Sequence, residues 1–284
     1  MQIYAPNFSN AQYRLLVYSF KVNMTAFLTT PSKFIPFFCI FISGAASLVY
    51  ELIWIRQLAL VFGGNLYAIS AVLCAFMTGL ALGAWGIGLF LSRRNRQKKR
   101  VNLIILYGLI EGLIGLYGIF FPYGLELISS FYAPIVNGTI ELGSLLHWIE
   151  FFLSTALMLP ATICMGATLP IIGSWSIGKN SKRIVSDVSI LYSLNTFGAV
   201  VGCLYTQTIA LKYFGVSTTN LTAIGINFLV FLLCVVFHSY FIKKPSPKVP
   251  FIKSKVNQEN NSTPDHRLSL LLIFIFAYSG MASL

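Results

Sequence analysis

Six windows of about 20 apolar residues, the length that crosses about 30 Å of hydrocarbon, recur along this chain of 284 residues, at 34–60, 67–91, 101–121, 145–172, 190–211 and 221–242. A seventh window opens at Leu268. Nothing constrains the fold more. Inside a bilayer each spanning segment must satisfy its own backbone N–H and C=O groups, and none of these windows shows the alternation of a barrel strand, so each is predicted to be a helix. The composition agrees, because 56% hydrophobic and 10% charged residues leave too little polar surface for a soluble domain. The expected fold is an all-α membrane protein with six complete transmembrane helices and the start of a seventh.

The net charge of +12 is explained by topology rather than by nucleic acid, because the bases sit between the apolar windows. One set of connections holds Arg93, Arg94, Arg96, Lys98, Lys99 and Arg100, then Lys179, Lys182 and Arg183, then the lysines from Lys243 to Lys255 and Arg267, with Arg14, Lys21 and Lys33 ahead of the first window. The opposite connections hold only Lys212. Lys and Arg retained on the cytoplasmic side therefore place the amino terminus inside an integral membrane protein. Residues 1–33 form a cytoplasmic amino-terminal segment without a clean signal peptide, since Lys21 and Asn23 interrupt its apolar run. Residues 34–242 make the six-helix membrane domain, and 243–267, rich in Pro, Asn and Lys, a cytoplasmic linker. The acidic stretch 122–144 is expected to lie at the outer surface as short interfacial helices and turns.

The phrase SGAASL at Ser43 returns as SGMASL at Ser279, each time inside a window that follows a cytoplasmic segment. This predicts a parallel repeat of two six-helix halves, with 268–284 as the truncated start of the second. Ionisable side chains inside a crossing cost about 3 kcal/mol on insertion scales and are functional candidates by default. Glu51 and Arg56 lie about 140° apart on an ideal helix and so need separate partners. Glu111 and Glu150 are the acids available to Arg56. An ion pair, a substrate cavity and simple snorkelling of Arg56 to the interface remain open. His147 shares a helix face with Glu150, but two ligands do not make a metal site.

Small residues carry a second signal. Ala71, Ala75, Gly79 and Gly83 recur every fourth position, with Ala84 and Gly88 on a neighbouring stripe, which suits close helix contact. The stretch LPATICMGATLP removes two backbone donors at Pro160 and Pro170 around Gly166, and predicts either a broken helix exposing Thr162 and Thr168 to a polar ligand or a kinked packing helix. Asn195, in LYSLNTFGAVVG, is too polar to face lipid and is expected to hydrogen-bond across helices beside Gly198 and Gly202. The candidate intramembrane polar site is thus Glu51, Arg56, Glu111, Glu150, Asn195 and Thr168. Cys39, Cys74, Cys164, Cys203 and Cys234 lack metal-ligand spacing and are read as packing residues. No catalytic, cofactor-binding or metal residue is assigned.

Four phrases, SGAASLVYELIWIRQLALVFGGNLYAISAVLCAFMTGLALGAWGIG, YGLIEGLIGLYG, LPATICMGATLP and LYSLNTFGAVVG, occur in that order between residues 34 and 242. In these the chain resembles the membrane portion of bacterial membrane-bound spermidine synthase-like proteins, fused major-facilitator and spermidine synthase proteins. The resemblance implies a major-facilitator-like half in a bacterial inner membrane, a soluble aminopropyltransferase domain as its partner in full-length members and a polyamine-like small molecule as ligand; the lipid bilayer and no nucleic acid are the partners expected from composition and charge. The glycine-rich turn after a strand that a nucleoside-binding domain needs is missing, because Gly63 and Gly64 fall between membrane helices. The basic connection SRRNRQKKR lacks the aspartate usual in the signature loop of major facilitator transporters. Three readings follow: a spermidine synthase-like membrane domain without catalysis of its own, a small-molecule transporter half, and a structural anchor.

Overall fold

A computed structural model describes residues 31–64, 66–97, 101–136, 145–176 and 184–241. Six long helices account for nearly all of them: α1 (Pro31–Val61), α2 (Leu66–Arg96), α3 (Leu103–Val136), α4 (Leu145–Ser176), α5 (Ile184–Tyr205) and α6 (Gly215–Phe241). Each provides a span long and apolar enough to cross a membrane, that of α5 running on through the following turns to Tyr213. The amino-terminal segment, the linker and the seventh window lie outside the described residues. Chain reversals use glycine where the backbone turns left-handed. Gly63 (φ 85°) and Gly64 (φ 68°) end α1 with Gly64 N–H donating to the Ala59 carbonyl at 2.6 Å, and Gly215 (φ 73°) separates α5 from α6.

Two seams bring helix backbones together. Along α2 and α4, Gly79 faces Thr162, Gly83 lies on the Ile163 backbone and Gly166 on the Leu80 backbone, so a Cβ at any of the three would collide. Along α1 and α5, Gly198 lies on the Phe41 backbone, Gly202 on the Ala45 backbone and Gly44 on Asn195. Lipid offers helices no hydrophobic reason to associate, so dispersion across such close approaches must do it. The Gly79 and Gly83 stripe is therefore a packing seam, whereas Ala84 and Gly88 on the neighbouring stripe stay exposed. α3 packs on α6 and α4, and α6 also on α1.

Aromatic and aliphatic side chains fill the spaces between helices in two clusters. Toward the basic connections, Phe37, Ile40, Ile104, Tyr107, Ile171 and Phe237 pack together with the buried Cys39 and Cys234. Toward the far end lie Tyr50, Trp54, Phe62, Phe121, Tyr132 and Met158. Trp54 stacks on Phe121 at 4.3 Å and 10°, and meets Tyr50 at 4.9 Å.

Three elements depart from the sequence reading. First, 122–136 is not a set of short helices and turns but the continuation of α3 through Pro122 and Pro134. Pro122 cannot donate to the Gly118 carbonyl one turn back, and Asn220 from α6 donates to that carbonyl instead at 2.9 Å. The helix survives its proline because a neighbour supplies the missing donor. Second, α4 passes unbroken through Pro160 and Pro170, which overturns the broken-helix alternative and leaves the packing helix. Third, α5 carries an unanticipated π-helical turn over Thr206–Ala210, where Leu211 N–H reaches the Thr206 carbonyl, before a last turn at Leu211–Tyr213.

Candidate functional site

Glu111 occupies the waist between the two clusters, flanked on α3 by Tyr107 of one and Ile114 of the other. It begins about 12 Å along α3, counting 1.5 Å per residue from Leu103, and its side chain is 0% exposed. The Ser43 hydroxyl on α1 donates to Oε1 at 2.5 Å, and the Asn227 carboxamide on α6 donates to Oε2 at 3.2 Å. The Tyr107 hydroxyl sits beside the same carboxyl and Ser43. One acid thus ties three helices together through neutral donors, and among the described residues no Lys or Arg pairs with it.

The geometry explains why Arg56 does not serve. Ser43, level with Glu111, is 13 residues before Arg56, or about 20 Å along α1, well beyond the reach of a guanidinium. Arg56 is exposed and Glu51 half-exposed, and among the described residues neither forms an ion pair or hydrogen bond. Glu150, at the far end, is engaged elsewhere: Tyr132 donates to its Oε1 at 2.7 Å, and His147 Nδ1 lies 3.5 Å from its Oε2.

The remaining candidates do not join a site. Thr168 donates within its own helix to the Met165 carbonyl at 2.7 Å, and Thr162 does the same to Met158 at 2.9 Å, so neither hydroxyl is offered to a ligand from α4. In place of the expected cross-helix hydrogen bond, Asn195 lies against Gly44, whose missing Cβ makes the approach possible, and no bond from its side chain forms among the described residues. Among the described residues no hydrogen bond or ion pair joins any two of the six candidates. What the sequence reading missed are the partners of Glu111, namely Ser43 and Asn227. Asn220 and Asn227, seven residues apart on α6 and both turned to α3, were the available signal.

Compared with protein-family models, with curated proteins and with solved structures, the chain matches none.

Proposed function

We propose that this chain is a membrane-embedded, solute-handling unit of the transporter type, in which Glu111 is the group that exchanges a proton as the helices rearrange. The observation that carries this reading is the fully buried carboxyl held by Ser43 and Asn227 without a basic partner among the described residues. Ionisable groups at that depth mark ion and proton pathways more often than they serve packing. Ser43, Glu111 and Asn227 belong to three different helices, so adding or removing one proton alters the hydrogen bonding between α1, α3 and α6 together. The spermidine synthase-like resemblance supplies the solute class, a small polyamine such as putrescine, and a soluble aminopropyltransferase domain as the partner that would use it. That reading also expects a major-facilitator-like half, with a second half completing the path.

Uptake of radiolabelled putrescine into proteoliposomes, with and without an imposed pH gradient, tests the proposal. The expected result is gradient-dependent uptake that Glu111→Gln abolishes while the variant still reconstitutes as a monodisperse protein. Uptake unchanged in Glu111→Gln would remove Glu111 from the mechanism, and no uptake of any amine by the wild-type chain would leave the structural anchor as the better account.

A further inference from the structure

Seven residues make close to two helical turns, so positions seven apart return to one face. Counted that way, the layer that holds Glu111 is repeated. Seven residues beyond Ser43 on α1 is Tyr50, seven beyond Glu111 on α3 is Gly118, and seven before Asn227 on α6, which runs the other way, is Asn220. These three also meet: Asn220 donates to the Gly118 carbonyl at 2.9 Å, and the Tyr50 hydroxyl lies 2.8 Å from where a Cβ on Gly118 would stand. Both asparagines thus give their amide to α3 and keep a buried Oδ1 that no described residue bonds, and the buried Tyr50 hydroxyl is likewise unbonded among the described residues. The row continues toward the far end. Trp54 Nε1 and Gln57 Oε1, four and seven residues past Tyr50, are buried without a hydrogen bond among the described residues. Tyr132, three such intervals past Glu111 on α3, donates to Glu150 beside His147, whose side chain is 40% exposed.

We infer that this row is a proton relay joining Glu111 to the far end of the bundle, with ordered water between the layers and the Tyr50 hydroxyl as its first step. The inference rests on the proton exchange proposed for Glu111. A buried polar atom left unpaired costs about 1–3 kcal/mol, and where no protein group serves, a buried water making roughly three hydrogen bonds does. Two carboxamide oxygens that accept, and a hydroxyl that both accepts and donates, are the partners such water needs. The two layers stand about 10 Å apart, which about three waters cover at about 2.8 Å per hydrogen bond. Toward the basic end, by contrast, Glu111 is backed past the Tyr107 hydroxyl by the apolar side chains of Phe37, Ile104 and Phe237. Each transfer moves one proton and no electron. Glu111 releases its carboxyl proton to a water, a water gives one to Tyr50 Oη as Tyr50 gives its own to the next water, and rotation of the hydroxyl restores the start. A proton that reaches Glu111 from the basic end thus has a way out past Gln57 to Glu150.

Infrared spectroscopy of the full chain in lipid tests the relay. At mildly acid pH the C=O band of Glu111, identified by its loss in Glu111→Gln, should shift as the carboxyl takes up deuterium from heavy water. Tyr50→Phe removes one oxygen and keeps the ring against Trp54. The band should therefore hold its position while the shift slows several-fold, and by more than in Tyr107→Phe, which removes a hydroxyl one turn to the other side of Glu111. A shift as fast in Tyr50→Phe as in the parent chain would overturn the relay alone, as would a larger slowing in Tyr107→Phe. A band absent from the parent chain, or one that never shifts there, would overturn the proton-exchange reading and the relay with it. Should Tyr50→Phe fail to fold, Gln57→Leu reads the same row one step on: slowed exchange supports the relay, and unchanged exchange refutes it.

Discussion

Glu111 shows how a polar side chain can be legible while its meaning is not. An acid inside YGLIEGLIGLYG is conspicuous in any apolar window. Its donors are not, because Ser43 lies 68 and Asn227 116 residues away in sequence, and only the packing of α3 against α1 and α6 brings them in. The same geometry yields a prediction that separates fold from function. Asn227→Leu removes the donor to Oε2 and should destabilise the solubilised protein by roughly 0.6–1.7 kcal/mol, from the average to the largest value measured for hydrogen bonds between membrane helices. Glu111→Gln should cost less, under about 1 kcal/mol, because the Oδ1 atom of Asn227 has no partner and a turned-over carboxamide can accept from the new amide. Thermal unfolding in detergent checks both. A Glu111→Gln protein less stable than Asn227→Leu would mean that the carboxyl, and not the polar network, holds these helices. Arg56 and Glu51 are the converse case. They were readable as needing partners on other helices, and what the sequence could not show is that the bundle offers them none among the described residues.

At the level of the helix, spacing rules succeeded where the cause is local and failed where a neighbour intervenes. Small residues every fourth position on α2 did mark a seam, but the choice of Gly79 and Gly83 over Ala84 and Gly88 was made by where α4 lies. Prolines misled the reading for the same reason. Pro122 removes a donor in sequence, yet Asn220 returns one in space, so α3 continues about 20 Å further, to Val136. This pairing can be tested as a coupling. Asn220→Ala leaves the Gly118 carbonyl buried without a donor, a loss of about 1–3 kcal/mol, whereas Pro122→Ala restores the backbone N–H that would bond that carbonyl. The cost of Asn220→Ala should therefore shrink in the Pro122→Ala background, giving a coupling of about 1 kcal/mol between residues 98 positions apart. Additive effects would show that the Gly118 carbonyl is satisfied some other way. The π-helical turn at Thr206–Ala210 left no comparable trace, since TQTIA has neither the proline nor the glycine that marks a distortion.

For the molecule as a whole, the six crossings were the most legible property, and their direction across the membrane is the one that charge decides. α3 holds 34 residues, about 51 Å at 1.5 Å per residue, against about 30 Å of hydrocarbon, so it must tilt or project beyond the apolar layer. Its projecting end carries Glu126, and its other end follows the bases Arg93, Arg94, Arg96, Lys98, Lys99 and Arg100. In the opposite connections the one base, Lys212, is seated over the Tyr213 ring at 5.3 Å, an arrangement suited to an interface. Insertion retains Lys and Arg in short connections on the cytoplasmic side, and acids contribute little to the choice. The end holding Arg93 and Arg94 should therefore be cytoplasmic, with residues 137–144 outside. A cysteine at Asn137 should react with an impermeant thiol reagent in intact cells, while one at Asn95 should react only after the membrane is opened. The native cysteines all lie within apolar windows, so the parent chain should label weakly in both conditions. The reverse pattern would invert the molecule, and with it the side from which a proton could reach Glu111. From the basic end Glu111 lies about 12 Å along α3, behind the buried cluster of Phe37, Ile104 and Phe237. On the proposed role of Glu111 and the expected orientation, its proton would come from the cytoplasm. Labelling that inverted the bundle would require the proton to enter from outside instead.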